Sequence, residues 1–249
     1  MQIVWVTRSF LDYRIPVYAE LSRLVDGCFT LIYYADIVPA RVRQKMGQVL
    51  GGHCVELDGE IRLTGPQYVG ADMANTALRV PFQPGLVQAV RRSGPDVLVS
   101  DGFFQWTYAT LWLRATRGIP HVMCYERTAH TERKAQWYRT AYRKRTMRWI
   151  DAMCCSGKLC GEYVQDLGFP AERIRYGHMV ADVEGMRDAI TRLSEDQVNA
   201  FKARLGLQGL VFLYVGRLAS RKGIDKFLEA WKVFSSNAAD DTTLLIVGD

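Results

Sequence analysis

The chain has 249 residues, 49% of them apolar and 23% charged, with a formal net charge of +6. These values match globular domains and exclude disordered, collagenous and fibrous classes, and the length fits one large or two modest domains. Charge-free apolar stretches such as Gly102 to Leu113 fall short of the roughly 18 residues a spanning helix needs, and Met1 to Arg8 carries neither the basic segment nor the apolar core of a secretory signal, so a cytoplasmic protein is expected.

In chain order, short β-rich runs alternate with helical patterns. Ile3 to Thr7 predicts a strand, Pro16 to Val25 a helix opened by proline, and Phe29 to Tyr34 a second strand. Residues 45 to 68, with glycines at 47, 51, 52, 59 and 65, give no regular pattern. Gly85 to Arg92 predicts a short helix, and Pro95-Asp96 leads into a strand from Val97 to Ser100. Trp106 to Arg117 predicts a helix stopped by Gly118. His121 to Tyr125 and Ala152 to Ser156 predict strands, with a helix from Glu132 to Trp149 between them, and Lys158 to Leu167 a helix stopped by Gly168. Strand and helix in alternation predict a Rossmann-like, doubly wound parallel α/β sheet over residues 1–178.

Residues 179–208 read as a connector: Met179 to Leu193 has no clear pattern, and Ser194-Glu195-Asp196-Gln197 then has capping-box spacing and opens a helix to Leu205. A second α/β unit starts within 209–249, with a strand from Val211 to Val215, a helix from Ile224 to Phe234 and a strand from Thr243 to Val247. One β-α-β unit is too small to hold a core of its own, so the chain reads as a fragment of a longer two-domain protein.

Charge is concentrated between Arg127 and Arg148, where eight basic residues face Glu132 alone; the rest of the chain sums to −1. Trp137, Tyr138, Tyr142 and Trp149 lie in the same segment, and Tyr138, Ala141, Tyr142 and Trp149 recur at helical spacing. Three readings stay open. The aromatic stripe packs on the core while the arginines are solvated, or the helix docks on an anionic membrane surface, or it binds nucleic acid. The last is least favoured, because no zinc finger, RRM signature or basic zipper accompanies the patch. Six cysteines, at 28, 54, 124, 154, 155 and 160, show no Cys-x-x-Cys spacing and lie mostly in apolar runs, so reduced buried thiols are expected.

The strand end Val6-Thr7-Arg8-Ser9-Phe10 lacks the glycines of a dinucleotide turn, which disfavours a dehydrogenase. No His-Glu-x-x-His, Gly-x-Ser-x-Gly or Asp-x-Asp motif occurs, so no metal site is expected. The informative run is Tyr214-Val215-Gly216-Arg217-Leu218-Ala219-Ser220-Arg221-Lys222-Gly223-Ile224, a glycine at a strand end, a short basic loop and a helix start. Helix N-terminal amides favour an anion there, and Arg217 and Lys222 can add charge-assisted contacts to phosphate oxygens. Arg221 and Gly223 stand where a Walker loop needs Gly and Ser or Thr, so a diphosphate held without a tightly bound metal is expected.

Val215-Gly216-Arg217-Leu218 followed by Lys222-Gly223 and an amphipathic helix resembles the opening of the donor domain in GT-B glycosyltransferases, the group 1 or family-4 retaining enzymes. Tyr13-Arg14-Ile15-Pro16-Val17, Pro95-Asp96-Val97, Gly118-Ile119-Pro120 and the run Leu167 to Ile174 occur in that family's order, and Tyr125 to Arg133 resembles a form found in bacterial members. The resemblance implies that Gly216, Arg217 and Lys222 hold the diphosphate of a UDP- or GDP-sugar, with no other cofactor. It also implies that Glu126 and His130 lie on the acceptor side, where a glycan or lipid-linked hydroxyl would bind. The Glu-x7-Glu segment of the family does not occur before Asp249, which implies that the fragment alone is inactive. His53, His121 and His178 are expected to be structural, and Asp101, at a strand end, is a weaker candidate for the crevice. A nucleotide-sugar epimerase on the same fold and a non-enzymatic module built on residues 127–148 remain as alternatives.

Overall fold

The computed structural model describes residues 1–64, 79–177, 179–236 and 242–248, and of residues 62–64, 79, 80 and 221 the backbone alone. Gly65, His178 and Asp249, named above, lie outside the described residues, as does the side chain of Arg221. The chain divides into two compact units, Met1–Asp182 and Val183–Asp249.

The first unit runs β1 (Ile3–Val6), α1 (Ile15–Leu24), β2 (Phe29–Tyr34), α2 (Ala40–Leu50), β3 (Cys54–Leu57), β4 (Ile61–Thr64), β5 (Arg79–Phe82), α3 (Leu86–Arg92), β6 (Val97–Asp101), α4 (Thr107–Arg117), β7 (His121–Tyr125), α5 (Trp137–Thr146), β8 (Ala152–Cys155), α6 (Lys158–Asp166) and β9 (Ile174–Tyr176). Seven strands form one parallel sheet in the order β3-β2-β1-β6-β7-β8-β9, while β4 and β5 pair as a separate antiparallel hairpin. All four residues of β1 are buried, as a central parallel strand covered on both faces requires. Alternate residues feed opposite cores. Trp5, Leu31 and Tyr33 meet Tyr18 of α1 and Val42, Met46 and Leu50 of α2 on one face, and Val4, Val6 and Ile32 meet Leu86 and Val90 of α3 and Leu113 of α4 on the other. The doubly wound sheet is therefore as expected.

Two helices depart from the expectation. Residues 179–193 are not patternless, because α7 (Val183–Thr191) forms there. The basic helix spans Trp137–Thr146 rather than 132–149, with residues 129–134 in turns before it. Its orientation follows the expectation only in part: Tyr142 and Trp149 of the aromatic stripe are half-buried against the core, but Arg139, Arg143 and Thr146 are buried as well, whereas Trp137 is 81% exposed and Tyr138 is exposed too. Burial of a guanidinium is tolerable only with a partner. Arg143 donates to Glu132 Oε2 at 2.6 Å and to the Tyr163 hydroxyl at 3.1 Å, and both it and Arg139 lie over the Phe104 ring.

In the second unit α8 (Glu195–Leu205) opens on a complete capping box between Ser194 and Gln197. The strands β10 (Leu210–Val215) and β11 (Thr242–Val247) pair in parallel, with α9 (Ile224–Ser235) between them in sequence. Phe212 packs edge-on against Trp231 and Phe234, and Tyr214 stacks on Phe227, so aromatic contacts hold α9 on one face of the pair.

Candidate functional site

In an open parallel sheet the ligand crevice lies outside the carboxyl ends of the strands where the winding reverses. In the first unit that point falls between β1 and β6. Asp101 ends β6 there and is tied on both sides. The Trp5 indole N–H donates to its Oδ2 and Arg14 to its Oδ1, each at 3.3 Å, and the buried Arg14 lies over the Trp5 and Tyr18 rings. Arg8, just past β1, makes a two-pronged contact of 2.6 Å to each oxygen of the buried Glu60, which also accepts the Trp106 indole N–H at 2.8 Å. In the turn after β6, Gly102 takes φ 63°, which glycine adopts freely, but the non-glycine Phe104 has φ 61°, a region that costs an L-residue energy and clusters at functional sites.

Glu126 and His130 lie in the loop that leaves the carboxyl end of β7, and both are exposed. They are not an i, i+4 pair on a helix, because α5 does not begin until Trp137. Arg133 bonds to the His130 carbonyl at 2.6 Å through its side chain. Below this loop Tyr125 is buried, which pushes its phenol well up, and it packs edge-on to Phe103 and parallel to Tyr163. His121, at the opposite end of β7, is structural as expected. Its Nδ1 lies 3.1 Å from the Trp149 carbonyl and its Nε2 2.8 Å from Ser100 Oγ, and burial holds its pKa down at about 4.

In the second unit Gly216 follows β10 and its N–H donates to Val247 O at 3.0 Å. A Cβ on Gly216 would meet the Tyr214 hydroxyl at 3.3 Å, and one on Gly248 would stand 1.8 Å from the Gly216 carbonyl oxygen. The ends of β10 and β11 thus approach at a distance that only glycine allows. The loop is pinned from below by the Tyr214 hydroxyl, which donates to the Arg217 carbonyl at 3.1 Å. Ser220–Lys222 forms one tight turn, and Gly223, at φ 74°, caps α9 without any side-chain hydrogen bond. The first-turn amides therefore have no side-chain acceptor of the capping kind, and the side chains of Arg217 and Lys222 are exposed beside them. Asp225 is the acid of that first turn. Such an arrangement offers an anion backbone dipoles and two cationic side chains.

The structure thus brings Gly216, Arg217 and Lys222 together on one loop and places Glu126 and His130 on another loop in the other unit. Sequence reasoning missed Gly248, the Arg14–Trp5 clasp on Asp101, and Phe104. Among the described residues no group of three or more His, Cys, Asp and Glu is arranged to hold a metal, and no helix is long and apolar enough to cross a membrane. All six cysteines are free.

Residues 47–178, just over half of the chain, match the family model of the glycosyl transferase 4-like domain. Among solved structures the chain is similar to HepE of Anabaena in complex with UDP and glucose, at 13% identity and a TM-score of 0.67 over 100% of this chain and 61% of that one. It is also similar to the UDP-GlcNAc 2-epimerase from Neisseria meningitidis bound to UDP-GlcNAc, at 11% identity and a TM-score of 0.57 over 99% and 65% of the two chains. A third is the lipopolysaccharide outer core galactosyltransferase WaaB, at 11% identity and a TM-score of 0.50 over 99% and 60%. At these identities the likeness is one of fold, and the chain spans about 61% of the length of the HepE chain. No curated protein matches the sequence.

Proposed function

The chain belongs to the glycosyl transferase 4-like family, and from that premise we propose that it serves a retaining, metal-independent glycosyltransferase that moves a sugar from a UDP- or GDP-sugar to a hydroxyl of a glycan or lipid-linked acceptor. The observation that carries the reading is the loop Gly216–Gly223, which bears the exposed Arg217 and Lys222 and runs into the first turn of α9 with no side-chain cap. As the bond from the anomeric carbon to the diphosphate oxygen breaks, negative charge collects on the leaving group. Arg217, Lys222 and the α9 dipole stabilise that charge most in the transition state. Gly216 and Gly248 keep the strand ends free of side chains, so that the phosphates can approach backbone. On the acceptor side, Glu126 and His130 occupy the loop after β7, beside the strained turn at Phe104, and are assigned to orient the accepting hydroxyl. The enzyme is placed in the cytoplasm, in polysaccharide assembly, and its free cysteines suit a reducing compartment. HepE with UDP and glucose, and WaaB as a galactosyltransferase, have folds that accord with this reading.

The second reading is a nucleotide-sugar epimerase, favoured by the likeness to the Neisseria epimerase. One experiment separates the two. The protein is incubated with UDP-GlcNAc, UDP-glucose or GDP-mannose, and nucleotide-sugar binding and products are followed by NMR. The transferase reading expects binding that Lys222→Ala weakens, with no change of sugar configuration when acceptor is absent. Appearance of the 2-epimer without acceptor selects the epimerase, and the absence of binding to every nucleotide-sugar overturns both.

A further inference from the structure

Helix α5 and the turn that follows it have an outer face that the transfer reaction does not use. Residues 137, 141, 144 and 148 recur at helical spacing, with 138 and 145 alongside, and all six are exposed. That face presents Trp137 at 81% exposure, Tyr138 edge-on beside it at 6.1 Å between ring centres, Ala141, and then Lys144, Arg145 and Arg148. Arg133 and Lys134, also exposed, lie just before the helix. No acid occurs between 133 and 150, and of the two flanking carboxylates Glu132 is buried against Arg143 and Asp151 is paired with Arg114. Folding has turned two guanidinium groups inward and left the largest apolar side chain of the helix in water, the reverse of what core packing alone would select.

We infer that this face docks the protein on an anionic lipid surface. Charge complementarity argues for that occupant: five exposed cations stand against no acid in the segment. An indole and a phenol on the same side match the headgroup zone, which takes amphipathic rings at the depth of neighbouring cationic side chains. Each cation near an anionic leaflet is worth about a fivefold gain in partitioning, about 1 kcal/mol. The docking does not depend on sugar transfer and stands or falls separately from it.

The test is co-sedimentation of the 249-residue protein with phosphatidylcholine vesicles with and without phosphatidylglycerol. The expected result is binding only when phosphatidylglycerol is present, lost at high salt because exposed charges are screened over about 8 Å at physiological ionic strength and less above it. The variant Lys144→Ser/Arg145→Ser should weaken partitioning about 30-fold, and Trp137→Ser should weaken it further. All three positions are exposed, so circular dichroism should show an unchanged fold. Equal binding to both vesicle types, binding insensitive to all these substitutions, or substitution-sensitive binding to a single-stranded RNA oligomer with none to vesicles would overturn the inference.

Discussion

Replacing Arg143 by Met removes the charge from the interior while keeping most of the side-chain volume. Glu132 and Arg143 are each 2% exposed and joined at 2.6 Å, and Arg143 also reaches the Tyr163 hydroxyl at 3.1 Å. Breaking a buried pair by removing one partner costs about 3–5 kcal/mol, because the other charge stays behind uncompensated. Arg127, whose Nε lies 3.8 Å from the other Glu132 oxygen and is partly solvated, keeps some of the attraction. That places Arg143→Met near the lower bound, about 3 kcal/mol. With a urea slope of about 2.5 kcal/mol per molar, the unfolding midpoint should fall by about 1 M. Adding Glu132→Gln should recover most of the loss, since an amide carries no charge to be stranded. The assay is urea unfolding followed by circular dichroism on the two single variants and the double variant. A midpoint for Arg143→Met indistinguishable from that of the parent, or no recovery in the double variant, would mean that the pair is not buried and that α5 does not sit arginine-side inward.

Three further predictions concern other parts of the chain. The pKa of His121 is held at about 4 by burial against about 6.5 when unfolded, so the unfolded state takes the proton first; stability should be full above about pH 6.5 and fall by about 3 kcal/mol as pH drops toward 4. Urea midpoints that stay flat over that window, or that are unaffected by His121→Gln, would contradict this. Gly248→Ala would place a Cβ 1.8 Å from the Gly216 carbonyl, so the β10–β11 pairing should open locally, seen as faster amide exchange in both strands; unchanged exchange would refute the close approach. Lys222→Ala should weaken UDP binding about 10- to 100-fold, from the roughly 1.5–3 kcal/mol of a hydrogen bond to a charged group. Arg217→Lys should also be poorly tolerated because a point charge cannot reproduce a planar fork, whereas Arg221→Ala should cost less; calorimetry that ranks Arg221 above Lys222 would shift the motif by one position.

What the sequence revealed and what it concealed divide along the range of the interactions. Strand β1 is an uninterrupted apolar run, β6 and β7 each hold three or more apolar residues in a row, and the caps at Gly118 and Ser194 are local signals, so each is legible from a few residues. Helix α2 was hidden because its three buried residues, Val42, Met46 and Leu50, are separated by Arg43, Gln44 and Lys45 and then by Gly47, Gln48 and the exposed Val49. At α5 the inward side of Tyr142 was legible, but the burial of Arg139 and Arg143 was not, because amphipathic reasoning sends arginine to water. The partners that draw Arg143 inward lie outside α5, Glu132 in the turn before it and Phe104 in the loop after β6. A lone acid in a strongly basic stretch was the available clue. The same contrast separates the two halves of the candidate site. Loop 216–223 is contiguous and was legible, whereas the clasp on Asp101 joins Trp5, Arg14 and Asp101 from distant stretches of chain.

The central claim is that Gly216–Gly223 and the first turn of α9 form the diphosphate site of a nucleotide-sugar. Amide hydrogen exchange of the 249-residue protein, with and without saturating UDP and with uridine as control, tests it most directly. The account predicts slowed exchange confined to residues 216–227 with UDP, none with uridine, and loss of the effect in the variant Arg217→Ala/Lys222→Ala. Protection that appears equally with uridine, that falls outside that loop, or that survives the double substitution would contradict it.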